Sequence, residues 1–89
     1  MNTIRVQLDT ISDILISRSK AREVLKGLEK FGIIVFDFEH IPTVGQAFAD
    51  EVFRVFHNKY PSISLETENI NEEVKFMIER AKNVANKSL

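Results

Sequence analysis

The chain contains no cysteine, which excludes disulfides, thiolate metal ligands and cysteine nucleophiles from its chemistry. It also lacks an excess of positive charge, because 12 Lys and Arg residues against 13 Asp and Glu residues give a formal net charge of −1. Nucleic-acid binding usually depends on such an excess, so neither DNA nor RNA is expected as a partner. With only 3 glycines, the chain has no glycine-rich phosphate loop.

Long apolar runs are also absent. No stretch approaches the ~20 residues that a membrane-spanning helix needs, and the first ten residues alternate apolar with polar side chains, unlike a signal peptide. We therefore expect a soluble, cytoplasmic protein without membrane contact. The 89 residues, of which 44% are hydrophobic and 28% charged, fit one domain over residues 1–89, with 82–89 as a frayed tail.

The two histidines give little basis for a catalytic or metal centre. His40 follows Glu39 and lies three residues after Asp37, but there is no His-x-x-x-His spacing and no serine–histidine–acid pattern. We interpret His40 as an exposed loop residue. No cofactor, no metal and no enzymatic activity are expected.

Hydrophobic periodicity predicts alternating strands and helices. Alternation over residues 4–8 predicts a strand with one solvated face, and Ile14–Ile16 predicts a short second strand. Ser17 or Ser19 begins a first helix that ends at Gly32. The continuous apolar run Ile33–Phe38 predicts a central strand covered on both faces.

The second predicted helix spans residues 44–57, after a capping-box pattern at Thr43–Gln46. At 100° per residue, its phenylalanines share one arc, whereas Gln46, Asp50 and Arg54 share the opposite, polar face. A short strand at residues 62–66 and a last helix capped by Asn69 follow. This order predicts an α/β sandwich with a mixed sheet of four or five strands and about three helices.

Three segments, Ser17–Arg22, Phe36–Phe38 and Val44–Phe56, resemble the STAS-like domain family of unknown function, found in bacteria and archaea. The resemblance covers roughly residues 14–81, and its most specific part is Gly-Gln-Ala-Phe-Ala-Asp, beginning at Gly45. The family is named for its likeness to the STAS fold of anti-sigma factor antagonists, which the resemblance implies for this chain. Those antagonists dock on histidine-kinase-like ATPases, which phosphorylate a serine at the start of the helix after the central strand.

The resemblance implies a protein partner, with a histidine-kinase-like ATPase as the first candidate. The Asp-Ser that usually begins the switch helix aligns with Gly45-Gln46, neither of which can be phosphorylated. It therefore implies a regulatory docking module without the phosphorylation switch. The candidate partner-binding surface is the start and polar face of helix 44–57: Thr43, Gly45, Gln46, Asp50 and Arg54. The alternative for this stripe is a solvated face with an Asp50–Arg54 pair worth ~0.3–0.5 kcal/mol.

Two further sites remain open at this point. The first is an anion site at the start of the first helix, made of Ser17, Arg18, Ser19 and Arg22, for which simple helix capping is the preferred alternative. The second is a small-ligand or nucleotide site at the Asp37–Gln46 turn, at the end of the central strand. Its preferred alternative is that the Asp37 carboxylate caps the following turn. A structural homodimer is the remaining functional alternative, since a short chain with 7 phenylalanines can bury some of them between subunits.

Overall fold

The computed structural model describes residues 2–12 and 14–87, with side chains described up to residue 83. Three strands, β1 (Thr3–Gln7), β2 (Ile33–Asp37) and β3 (Ser64–Glu68), form a parallel sheet in the order β1-β2-β3. Helix α1 (Arg18–Leu25) connects the first two strands, and α3 (Glu72–Lys87) follows the last. Between β2 and β3, helix α2 runs without a break through α-helical Gln46–Asp50, π-helical Glu51–Phe56 and α-helical His57–Lys59.

The helices pack on one face of the sheet. Both crossovers step in the same direction from β1 to β3, and right-handed crossovers then leave α1 and α2 on the same side. One core cluster joins alternate sheet residues with residues of all three helices: Val6, Ile34 and Phe36 with Ala21, Val24, Phe48, Phe53, Val74 and Ile78. Val35 lies outside this cluster, in register with Arg5 and Glu66 on the opposite sheet face. The central position of β2 and its burial on both faces are nevertheless as predicted, since Val35 is 8% exposed and Asp37 3% exposed on the face that the helices leave open.

The α/β class and the three helices agree with the sequence prediction, but the sheet has three parallel strands in the described residues, not a mixed four or five. The strand predicted at Ile14–Ile16 is wrong. Its central carbonyl, that of Leu15, accepts a hydrogen bond from the Gly45 amide at 2.8 Å. This segment is bound to the start of α2 instead of to the sheet.

The limits of α1 differ from the prediction at one end only. Ser17 is the N-cap, and its hydroxyl oxygen accepts from the Lys20 amide at 3.0 Å. The helix ends at Leu25 because Gly27 adopts a φ of 85°, the left-handed conformation that commonly terminates helices. The glycine predicted to end it, Gly32, comes after a separate 3₁₀ turn at Leu28–Lys30.

The start of α3 also differs from the prediction. Its N-cap side chain belongs to Asn71, whose Oδ1 accepts from the Val74 amide at 2.8 Å. Asn69, the predicted cap, has a φ of 57° and lies in the turn before it. The helix continues through residues 82–87, which the sequence analysis assigned to a frayed tail. None of the described helices combines the length and the hydropathy that a membrane span requires.

Candidate functional site

Helix α2 begins at the carboxyl end of β2 with a glycine as its N-cap. Gly45 offers no side chain to the free amides of the first turn. Thr43 lies before the N-cap Gly45, too far from the first helical turn to cap it. Its hydroxyl donates to Glu73 Oε2 at 3.4 Å instead. The predicted capping box at Thr43–Gln46 is therefore wrong, and the side chains of Thr43 and Gln46 are both exposed.

The close approach of Ile16 explains the glycine at position 45. A Cβ atom on Gly45 would lie 2.6 Å from both the Cα and the carbonyl oxygen of Ile16. Both are backbone atoms, so they cannot turn aside as a flexible side chain can. Together with the hydrogen bond from Gly45 to Leu15, this contact holds the segment 14–16 against the start of α2.

This contact places two isoleucines on the surface. Leu15 is buried, whereas Ile14 is 60% exposed and Ile16 is 57% exposed. We call the set Ile14, Ile16, Thr43, Gly45 and Gln46 the α2-start surface. None of these five residues carries a charged side chain. The apolar run Ile14–Ile16 predicts a strand and gives no sign that its two isoleucines lie on the surface.

Asp50 does not lie on a solvated face. It is only 7% exposed, because α1 packs against this side of α2. Its carboxylate accepts from Arg54 Nε at 2.5 Å and Nη2 at 2.7 Å, and from Arg18 Nη1 at 2.7 Å. The hydrogen bonds from Arg54, and to a smaller extent the single bond from Arg18, outweigh burial and lower the pKa of Asp50 to about 2. The solvated-stripe interpretation is thus wrong for Asp50.

Glu51 joins Asp50 in the same interface and was missed by the sequence analysis. It is 8% exposed, and its carboxylate accepts from Arg18 Nη1 at 3.2 Å and from Arg22 Nε at 3.4 Å. The available signal was an Arg-x-x-x-Arg spacing at 18 and 22, which puts both arginines on one face of α1. The π-helical segment of α2 begins at Glu51, where two consecutive acids reach toward the same neighbouring helix.

The four residues predicted as an anion site therefore separate into two groups. Ser17 caps α1, and Ser19 is exposed. Arg18 and Arg22 form ion pairs with the carboxylates of α2. Binding of an external anion at this place stays a prediction.

At the carboxyl end of β2, the Asp37 carboxylate is fully engaged inside the fold. Its Oδ1 accepts from Asn69 Nδ2 and from the Glu39 amide, and its Oδ2 accepts from Arg5 Nη2, each at 2.9 Å. These bonds, that from Asn69 first, lower the pKa of Asp37. The interpretation of Asp37 as a cap of the following turn is confirmed. Arg5 also pairs with Glu68, so one arginine joins the ends of β2 and β3.

His40 is exposed, as the sequence predicted. Its backbone has a φ of 66°, and its Nδ1 lies 2.9 Å from Asp9 Oδ2. This hydrogen bond, together with the charge of Glu39, raises the pKa of His40. Within residues 2–12 and 14–87, no group of three or more acidic or histidine side chains is arranged to hold a metal ion.

Comparison with known families adds one finding. The family model of the STAS-like domain of unknown function (DUF4325) matches residues 20–75, from α1 to the first turn of α3. Searches of curated proteins and of solved structures gave no match. The matched stretch covers more than half of the chain and includes α2, β2 and β3 in full. The chain therefore belongs to the family of STAS-like domains of unknown function.

Proposed function

We propose that this chain is a non-enzymatic regulatory module that docks a protein partner through the α2-start surface, with a histidine-kinase-like ATPase as the first candidate. Membership of the STAS-like family supports the choice of partner, since the anti-sigma factor antagonists for which the family is named dock on such ATPases. The observation that carries the proposal is the pair Ile14 and Ile16, held in exposed positions beside the start of α2.

Two features make this surface suited to docking. Exposed apolar side chains that lie together mark interaction sites more often than isolated ones do. Both isoleucines flank the buried Leu15, and the Gly45 contact fixes their backbone, so little conformational freedom is lost when a partner binds. Gln46 adds an exposed amide that can donate and accept hydrogen bonds at the rim.

Asp50 and Arg54, which the sequence predicted as partner-binding residues, are proposed to have a structural role instead. Asp50 is buried and forms ion pairs with Arg54 on its own helix and with Arg18 on α1. The ion pair with Arg18 holds α2 against α1. These residues support the docking surface from inside and contribute little direct contact. Charge reversal there would test the fold, and substitutions at exposed positions are the better probes of docking.

Docking is proposed to occur without phosphorylation at the start of α2. The N-cap Gly45 and the first-turn residues Gln46, Ala47 and Phe48 carry no hydroxyl group. A phosphate there would add roughly two negative charges at a helix N-terminus, and none of these four residues can accept one. Incubation with the partner ATPase and ATP should leave the mass of the tryptic peptide containing Gln46 unchanged.

Binding of purified histidine-kinase-like ATPases from the same genome, measured by calorimetry, tests the proposal. Ile16→Asp and Gln46→Lys should each weaken binding by about tenfold or more, since each removes a central contact or introduces a charge into an uncharged surface. Asn2→Lys is the matched control, because it adds the same charge at an exposed position at the amino end of β1, away from α2. The proposal fails if none of the ATPases binds, or if both surface variants bind as tightly as the control.

A further inference from the structure

Strand β3 is the outer strand of the sheet, and among the described residues no strand pairs with the side of β3 that faces away from β2. The Ser64 amide donates to the Gly32 carbonyl and the Glu68 carbonyl accepts from the Phe38 amide, so these residues direct their backbone groups toward β2. Backbone groups alternate in direction along a strand, and those of Leu65 and Thr67 therefore point outward. No described residue hydrogen-bonds to them, which leaves two N–H and two C=O groups open to another strand.

An open groove of about 670 Å³ lies beside the start of this edge, and on the strand it reaches Ser64 and Leu65. Its apolar lining comes from Phe53, Pro61, Ile63 and Leu65, and Lys82 lies over the ring of Phe53 at 5.7 Å. The Leu65 side chain belongs to the helix side of the sheet, since it alternates with the exposed Ser64 and Glu66. A strand added beside β3 would place every second side chain on this same side, toward the groove.

The opposite side of the added strand would meet acidic residues. Glu66 and Glu68 both lie on the sheet face that the helices leave open. Glu68 pairs with Arg5 across the sheet, whereas Glu66 has no ion pair among the described residues. A neighbouring strand with acids on this face would be repelled, and one with Lys or Arg would be attracted. The same repulsion disfavours antiparallel pairing of β3 with a second β3.

We propose that the β3 edge takes up an extended segment of a partner protein as a fourth strand, a segment in which apolar residues alternate with lysine or arginine. The outward backbone groups of Leu65 and Thr67 provide the main-chain hydrogen bonds. The apolar side chains enter the groove, and the basic ones meet Glu66. The site does not depend on the α2-start surface, which involves other elements of the fold.

A synthetic seven-residue peptide of alternating lysine and valine tests this site, with a matched glutamate–valine peptide as its counterpart. The lysine peptide should shift the amide resonances of Leu65 and Thr67 and protect both from hydrogen exchange. The glutamate peptide should bind at least about tenfold more weakly. Glu66→Lys should reverse this preference, because it changes the sign of the charge next to the added strand.

Proline substitutions at the edge distinguish strand addition from electrostatic attraction without strand pairing. Thr67→Pro removes an outward N–H that β2 does not use, and edge strands tolerate proline at such positions. It should abolish binding of the lysine peptide, whereas Thr3→Pro, the matched change on the free edge of β1, should leave it intact. If Thr67→Pro does not fold, the exchange protection of Leu65 and Thr67 in the unaltered chain decides the question.

Three outcomes would overturn the proposal. The first is the absence of any amide shift at millimolar peptide, and the second is equal affinity for both peptides. The third is self-association, seen by light scattering and removed by Thr67→Pro. In that case the occupant is β1 of a second copy, which also alternates apolar residues with an arginine, and the proposed partner segment is wrong.

Discussion

The guanidinium of Arg18, at the first position of α1, lies 2.7 Å from the carboxylate of Asp50, which is buried on α2. The same nitrogen, Nη1, also reaches Glu51 at 3.2 Å, and Arg54 approaches Asp50 from the next turn of its own helix. Arg18 and Asp50, which are 32 residues apart in sequence, thus join the two helices through charged side chains. Removing the Asp50 carboxylate would leave Arg54 without an ion pair and Arg18 with Glu51 alone, in an interface that water reaches only partly.

Replacing Asp50 with alanine should therefore lower the free energy of unfolding by about 2–4 kcal/mol, measured by urea denaturation. The carboxylate is the shared acceptor of Arg18 and Arg54, so its loss leaves both guanidiniums without their main partner. Glu23→Ala is the control, because it removes an exposed ion pair with Lys20 and should cost less than about 1 kcal/mol. Similar losses in the two variants would contradict a structural role for the Asp50 network.

Asp50 should also make the fold sensitive to acid. Its pKa is about 2 in the folded chain against an ordinary value of 3.8, so the folded state favours the ionised form. The resulting stability is complete above about pH 5 and is lost as the pH falls toward 2. The stability difference between the unaltered chain and Asp50→Asn should thus narrow by about 1–2 kcal/mol from pH 6 to pH 2.5, as followed by urea denaturation at each pH. A constant difference would show that ionisation of Asp50 does not matter for stability.

The strands and helices could be predicted from the sequence because each has a clear local pattern. The alternation of β1, the apolar run of β2 and the helical spacing of α2 all appear in the structure, as does Asp37 in its turn-capping position. A hydrophobic arc also identified the phenylalanines of α2 correctly as core. These features depend on neighbours within a few residues, which a sequence displays directly.

The candidate site was harder to predict because it depends on distant contacts. Helical spacing shows that Asp50 and Arg54 share a side of α2, but not that α1 covers this side. Likewise, Thr43 and Gln46 match a capping box, and only the approach of Ile16 to Gly45 shows why the helix starts later. Burial and cap position are set by packing, which overrides local patterns.

Two glycine substitutions should distinguish the cost of steric crowding from the cost of an unfavourable backbone conformation. Gly45 has an ordinary φ of −77°, so Gly45→Ala tests only the contact with Ile16, where a Cβ would lie 2.6 Å from backbone atoms. We expect a loss of roughly 2 kcal/mol or more, because the segment 14–16 must move away from α2. Thermal and urea denaturation measure the loss, and the displaced segment should become more accessible to proteases.

Gly27→Ala is the matched comparison for this test. Gly27 has a φ of 85° and nothing within 4 Å of an added Cβ, so its cost is conformational alone and should be about 1 kcal/mol. Partner binding should fall in Gly45→Ala but not in Gly27→Ala, since only the former displaces the isoleucines. If Gly45→Ala is as stable as the unaltered chain, the close packing of Ile16 is not required.

The pair of His40 and Asp9 should be visible as a raised histidine pKa. The hydrogen bond from Nδ1 to Asp9, at 2.9 Å, favours the protonated ring, and the charge of Glu39 adds to it. Because the pKa is higher in the folded state, the pair stabilises the fold at low pH, and this contribution disappears as the pH rises through the folded value. NMR titration of the His40 ring should show that Asp9→Asn lowers the pKa more than Glu39→Gln does, since the hydrogen bond is the larger cause. The reverse order, or no change in either variant, would show that the two side chains do not pair in solution.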